Sequence, residues 1–337
     1  MVAINKSNNN LRLEDFDYEL PKESISQTLT KPRDNCKLLV VQNSTTVFAH
    51  KKFADLVEYL RDGDVIVINN TKVSHAKLVG KKTTGAVVEA LLTKKISDTL
   101  WQCRLKGGKL HVGTELVFSS CNARIMARSE DIFMIEFNKI PTQGILPTPP
   151  YIQTQIPEED YQTMFAEAEG SLAAPTAALH FTPELVKKLE AKEVKFAQIT
   201  LHIGAGTFMP VKDPNLTHTE PEFYEISRDS ANIINSAKRL FAVGTTSVKT
   251  LETAWSSGKV QAGSGMSTIF IRPDYQFNVP IHAMITNFHL PKSSLLMLTC
   301  AFGGRERVIK SYNEAIAQGY HVGSLGDSML LFSERNK

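Results

Sequence analysis

The chain has 337 residues, 42% hydrophobic and 22% charged, and its 38 Lys plus Arg against 35 Asp plus Glu give a formal net charge of +3. That length favours two domains at ~100–200 residues each, and the apolar share excludes a disordered chain and a disulfide-stapled miniprotein. A small positive total neither marks nor excludes a nucleic-acid partner, because clustering rather than the sum makes a binding face.

Cys36, Cys103, Cys121 and Cys300 lie far apart with no CxxC pair. The pattern suits a reducing cytosol and offers neither a zinc site nor a disulfide framework. The first fifteen residues are polar with no apolar core, and no window approaches the ~18 apolar residues of a membrane span. The expectation is a soluble, cytoplasmic protein.

Residues 1–10 read as a polar arm. Phe53, Leu56, Val57 and Leu60 recur at helical spacing, and Val65–Ile68 reads as a buried strand after the turn at residues 61–64. From about Asn70 to Ile140 short β-rich runs follow one another: 86–92, 100–105, 115–118, 123–127 and 132–137. No helix intervenes, which points to a small antiparallel barrel or sandwich. Pro141–Pro150 is stiff and Pro-rich, a boundary. Beyond it Thr182-Pro183-Glu184 opens a helix with a hydroxyl cap. Val194–Leu201 reads as a strand, Ser230–Lys238 as a helix and Leu240–Val243 as a strand, and Gly244-Thr-Thr-Ser247 leads into a helix through Trp255. The fold class expected is a mixed α/β (α+β) main domain, residues 11–60 and 151–337, with an inserted small antiparallel β-barrel domain at 61–150.

Gly204-Ala-Gly206-Thr207 follows a strand but does not complete GxGxxG, so a tight turn and a ligand loop both remain open. Gly244-Thr-Thr-Ser247 sits between strand and helix, where backbone N–H groups and hydroxyls suit ribose or carboxylate oxygens; equally, Thr246 or Ser247 can serve as the helix cap. Lys249 and Glu252 are spaced for a surface ion pair. His180, His202 and His289 stand in apolar or small-residue surroundings with no metal-binding spacing, so they read either as core histidines or as acid–base groups of a polar cleft. Ser171–Thr176 is a run of small residues, either a tight loop or a surface for a flat ligand.

Several stretches together resemble one family. They are Asp15-Phe-Asp-Tyr-Glu-Leu-Pro21, Arg33-Asp34, Asn69-Asn-Thr-Lys72, Pro149-Pro-Tyr-Ile152, Tyr161-Gln162, Ala173–Thr182 (AAPTAALHFT), Leu201–Phe208 (LHIGAGTF), Gly244–Ser247 and Ile285–Ser293 (ITNFHLPKS). In colinear order from about residue 13 to 331, the chain is similar to the S-adenosylmethionine:tRNA ribosyltransferase-isomerases of queuosine biosynthesis. The resemblance implies an α/β domain carrying a six-stranded barrel. It also implies transfer and isomerisation of the ribosyl group of S-adenosylmethionine onto 7-aminomethyl-7-deazaguanine at the tRNA wobble position, releasing adenine and methionine. The alternatives are a paralogue acting on a related base or RNA, an S-adenosylmethionine-dependent RNA methyltransferase, and a non-catalytic RNA-binding protein.

That chemistry needs a base at the ribose carbon beside the sulfonium, a proton for departing adenine, and a neutral amine on the acceptor. Within the matching motifs the catalytic candidates are His180, His289, His202, Glu222 and Asp327, with His180 and His289 as first acid–base partners. Substrate contacts are expected from Arg33, Asp34, Ser171, Pro175, Thr176, Gly204, Gly206, Thr207, Thr245, Thr246, Ser247, Asn287 and Lys292. No metal and no permanently bound cofactor are expected; the donor is a co-substrate, and the chain is expected to be a monomer. The sequence departs from the family pattern at Met209 (usually Arg), Glu220 (usually His), Lys249 (usually Arg) and Leu325 (usually Tyr).

The charge resolves along the chain. Residues 61–140 hold 13 Lys plus Arg and 8 Asp plus Glu, a surplus of five, which leaves the remainder at −2. Lys72, Lys81, Lys82, Lys106 and Lys109 are the expected RNA-binding residues, with Lys77, Lys94, Lys95 and Arg104 in the same segment.

Overall fold

The computed structural model describes residues 11–42, 48–208, 211, 213–215 and 218–335; Met209 and the polar arm lie outside them. In chain order the elements begin with β1 (Lys37–Val41), β2 (Phe48–Lys52), β3 (Asp64–Asn69) and β4 (Thr71–Val73). Six strands follow: β5 (Lys77–Lys82), β6 (Val87–Lys95), β7 (Leu100–Lys106), β8 (Glu115–Phe118), β9 (Asn122–Ser129) and β10 (Ile132–Phe137). Then come α1 (Glu158–Tyr161), β11 (Ala168–Ser171), α2 (Pro183–Glu190), β12 (Lys195–Leu201), β13 (His218–Ile226), α3 (Arg228–Asn235), β14 (Arg239–Val243) and α4 (Gly244–Thr253). The chain closes with β15 (Trp255–Ser256), β16 (Lys259–Val260), β17 (Gly263–Ile269), β18 (Ile281–Asn287), α5 (Ser294–Gly303), α6 (Arg305–Ala317) and β19 (Ser328–Phe332).

The main domain is built on a nine-stranded sheet of order β17-β13-β12-β3-β14-β18-β19-β1-β2. Its centre, β12-β3-β14-β18, is parallel. The unbroken apolar run of β3 follows from this position, since a central parallel strand is covered on both faces. Successive residues alternate between two cores. Val65 and Val67 join the α3, α4, α5 and α6 side chains on one face, and Ile66 and Ile68 join Phe53, Leu56, Leu185 and Leu189 on the other.

The inserted domain is a closed antiparallel barrel, β10-β7-β6-β5-β8-β9, filled by inward residues such as Leu78, Val88, Leu116, Ile125 and Phe133. Irregularities at Leu92/Lys94 and Met134/Ile135 let strands bend into closure. Gly80 sits on the closing seam, where a Cβ would come 2.4 Å from the Val117 carbonyl oxygen.

Two expectations are corrected. The barrel strands run from Lys77 to Phe137, not from residue 61: β3 belongs to the centre of the large sheet, and β4 pairs with β11. The 53–60 pattern is a 3-10 turn over Phe53–Glu58, because Phe53, Leu56 and Leu60 need only one short turn to reach the core beneath β3. Among the described residues no helix is long and apolar enough to cross a membrane.

Candidate functional site

In an open α/β sheet, ligands collect beyond the carboxyl ends of the parallel strands. Here β3, β12, β14 and β18 end at Asn69, Leu201, Val243 and Asn287, and the residues immediately after them include much of what the sequence singled out. The Ser171–His180 segment crosses this edge. At one end the Ser171 hydroxyl accepts from the Ile203 amide at 2.9 Å; at the other, the Thr176 hydroxyl donates to Asn287 Oδ1 at 3.2 Å. Ala173, Ala174, Ala177 and Ala178 are all buried along the crossing, as is Pro175. The small residues therefore serve close packing against the strand ends and not, as the alternative had it, an open surface for a flat ligand.

His180 is fully buried. Because Thr176 donates to Oδ1 of Asn287, the amide nitrogen of Asn287 faces His180 Nε2, at 3.1 Å, and donates to it. The ring proton then sits on Nδ1, 3.2 Å from Cys36 Sγ. Burial, with Arg33 nearby, lowers the His180 pKa to about 4, so the ring is neutral, and burial pushes the Cys36 thiol up. His289 depends on the neighbouring residue of the same strand: its Nε2 pairs with Thr286 Oγ1 at 2.9 Å, and its carbonyl accepts from the Tyr18 hydroxyl. Consecutive strand residues face opposite sides of a sheet, so Asn287 and Thr286 hold His180 and His289 on opposite faces. The expected acid–base partnership between these two histidines is therefore corrected.

A second group gathers at the ends of β12 and β3. His202 Nδ1 lies 2.8 Å from Thr71 Oγ1, and its ring stacks on Phe223 at 5.5 Å. The ring is half-buried, with its pKa lowered by burial. Gly170 makes room for it: a Cβ there would come 2.7 Å from Nε2. The adjoining Gly204–Thr207 loop is held from beneath by Glu222, whose Oε1 accepts from the Gly204 amide at 2.9 Å and the Thr207 hydroxyl at 3.3 Å. The other oxygen of Glu222 pairs with Lys249 at 2.8 Å, and both side chains are largely buried. Lys249 thus pairs across to β13 and not with Glu252. Glu252 instead accepts from Tyr275, Asn278 and Val279.

The helix α4 starts at Gly244 directly from β14, and no side chain caps it. Neither Thr246 nor Ser247 is the cap: Ser247 donates back to the Val243 carbonyl, and the buried Thr246 Oγ1 has no partner. Thr245 is buried beside them. The α4 N-terminus therefore presents backbone N–H groups toward the strand ends.

The remaining candidates have partners within the chain. Arg33 donates to the carbonyls of Gln162 and Glu159, and Asp34 accepts from the Thr182 hydroxyl. Asp327 accepts from the Lys37 and His321 amides at 2.7 and 2.8 Å. Lys292 pairs with Asp17 at the surface, 2.9 Å apart. Leu325 fills a small core with Ile152, Tyr161 and Leu179, where its side chain needs no polar partner. Of the cations, Lys72 lies on β4, outside the barrel. Lys77, Lys95 and Arg104 have carboxylate partners. Cys36 and Thr71, which touch two of the three histidines, went unmarked as site residues; Thr71 stood inside a quoted motif, whereas Cys36 carried no signal of its own.

Residues 13–331 match the family described as queuosine biosynthesis protein. The S-adenosylmethionine:tRNA ribosyltransferase-isomerase of Thermotoga petrophila is 41% identical over 335 residues, covering 95% of this chain and 100% of that one. Its counterpart from Thermus thermophilus is 44% identical over 342 residues, covering 95% and 99%. The crystal structure of the S-adenosylmethionine tRNA ribosyltransferase of Thermotoga maritima is similar at a TM-score of 0.55 and 34% identity, over 94% of this chain and 99% of that one.

Proposed function

This chain belongs to the queuosine biosynthesis protein family, and from that premise we infer that it transfers and isomerises the ribosyl group of S-adenosylmethionine onto tRNA. It is an enzyme of the transferase class, with the donor as co-substrate. The acceptor we read as 7-aminomethyl-7-deazaguanine at the wobble position, with epoxyqueuosine-tRNA, adenine and methionine as products, in the cytoplasm.

The observation that carries the site assignment is convergence. The segments at 173–182, 201–208, 244–247 and 285–289, distant in sequence, meet along one edge of the sheet. In this reading the Gly204–Thr207 loop and the uncapped start of α4 receive the donor's ribose and methionine ends, since backbone N–H groups suit hydroxyl and carboxylate oxygens. The half-buried groups Thr176, His202, Thr207 and Thr246 touch substrate. The buried ones, His180, Ser171, Asn287 and Glu222, brace this edge, while Asp327 ties the Lys37 and His321 amides. His202 is the better proton-transfer candidate than His180, because its ring is only partly covered while His180 is fully buried, and burial lowers its pKa so that the neutral form predominates near pH 7.

For RNA, strand register divides the barrel cations. The row Lys77–Leu91–Arg104–Ile132 crosses the barrel. Lys81, Lys82, Lys106 and Lys109 lie to one side of it, and Lys94 and Lys95 to the other. Lys82 reaches the carbonyls of Gly108 and Lys109, which gathers the first group at one end. We assign that end to the phosphate backbone.

Chromatography of reactions containing S-adenosylmethionine and RNA bearing the aminomethyl base tests the reading. Adenine should appear only when both are present, and His202→Ala should slow its release ~100-fold, the usual scale for a lost acid or base. S-adenosylhomocysteine in place of adenine would establish a methyltransferase instead.

A further inference from the structure

The barrel and the sheet edge meet at the glycine loop. Ala205 packs against the barrel core, and so does Leu172, whose amide donates to the Ile203 carbonyl at 2.9 Å. Beside this contact Arg104, on β7, reaches out of the barrel to Glu220, on β13: Nη2 lies 2.8 Å from Oε1. Arg104 is only 18% exposed and is also braced by Asp131 across the β7–β10 pair. The other carboxylate oxygen of Glu220 lies against the loop: a Cβ on Gly206 would come 2.9 Å from Oε2. One carboxylate thus touches the barrel's arginine on one side and the loop backbone on the other. Two residues along the same strand, Glu222 holds the loop from beneath through Gly204 and Thr207.

We propose that Arg104 and Glu220 form a positioning pair that sets the outer limit of the Gly204–Thr207 loop and so tunes donor binding. The loop carries two glycines, so its backbone is free to move unless neighbours confine it. Glu222 and Lys249 supply a buried anchor, Ala205 an apolar one, and the Arg104–Glu220 pair the third side. Arg104 acts through Glu220 and touches no reacting atom. Glu220 is also where the sequence departs from the family pattern, and Arg104 gives the acid at that position a partner.

The proposal rests on the donor site assigned above, and the test separates the two. Binding of S-adenosylmethionine and steady-state adenine release are measured for the parent, Arg104→Gln, Glu220→Gln, the double variant and Asp131→Asn, with thermal unfolding as a control for folding. If the parent binds no donor and releases no adenine, the functional reading itself fails. If it does both, each single variant should weaken donor binding and raise the donor KM up to about fivefold, the upper scale of an ion pair with one exposed partner. The turnover number should stay within twofold. The double variant should be no worse than either single one, and Arg104→Lys should recover part of the loss. Asp131→Asn, which meets Arg104 on the barrel's own surface and does not touch the glycine loop, should leave the donor KM within twofold of the parent. Unchanged donor KM in both single variants overturns the proposal. So does a loss in Glu220→Gln without one in Arg104→Gln, because Glu220 would then be meeting the donor directly.

Discussion

His180 shows how burial converts a reactive side chain into a structural one. Both ring nitrogens are engaged, by Asn287 and Cys36, and no face is open to solvent. A pKa depressed from 6.5 to about 4 means that the unfolded chain takes up a proton at this residue before the folded one does. The stability it contributes is therefore complete above about pH 6.5 and is lost as pH falls toward 4, by up to about 3 kcal/mol. Urea unfolding of the parent and His180→Asn at pH 7.5 and pH 4.5 checks this. The gap between them should narrow on acidification, whereas a constant gap would show that the ring does not resist protonation. Half-buried His202 keeps its rim position against Phe223 and the glycine loop, and it is there that a pH-dependent rate should originate.

Among the elements, α2 links its own cap to the edge. The Thr182 hydroxyl accepts from the Leu185 amide at 3.2 Å and donates to Asp34 at 2.9 Å, so one side chain ends the 176–180 turn, starts the helix and ties down the segment before β1. Thr182→Ala should cost about 1–2 kcal/mol in denaturant unfolding, a lost cap plus a bond to a charged group. Thr182→Ser should recover most of it. The elements also explain why α4 differs from α2. Hydroxyls mark the start of both, yet Thr182 stands before α2 and caps it, whereas α4 takes Thr245, Thr246 and Ser247 into its own first turn, springing from β14 without a capping side chain. Helix propensity does not distinguish the two; their places on the sheet do.

For the molecule as a whole, the barrel holds the cations that its chain segment concentrates, but strand register sorts them. Charge reversal at Lys81, Lys82, Lys106 and Lys109 should weaken RNA binding and flatten its salt dependence by roughly 0.7–0.9 in the log–log slope per lost phosphate contact. S-adenosylmethionine binding should be unaffected. Reversal at Lys94 and Lys95, beyond the row through Arg104, should do less. Filter binding across a salt series measures both, and equal effects at the two ends would remove the assignment of one end to RNA. The Arg104–Glu220 contact sits between these two activities, where the barrel abuts the glycine loop.

Local pattern was sufficient for five of the six barrel strands, the capped helix at Thr182 and the buried strand at Val65–Ile68, because alternation, turn residues and capping hydroxyls act over a few residues; β5 (Lys77–Lys82) was not among the runs it marked. The same pattern misassigned the domain of β3: a wholly apolar strand says that both faces are covered, not by which layer. The motif segments were equally legible, and with them the chemistry. Which member of each motif is free to act was not. His180, His202 and His289 look alike in sequence, and only the pleat of β18, the crossing of Ser171–His180 and the stacking on Phe223 separate a buried brace from a rim group. Lys249 illustrates the same limit, since its near neighbour Glu252 was the obvious partner and Glu222, on another strand, is the actual one. Spacing along one element is fixed by the chain, but partners across elements depend on strand order and on which face each side chain takes. Those are settled only when the sheet assembles.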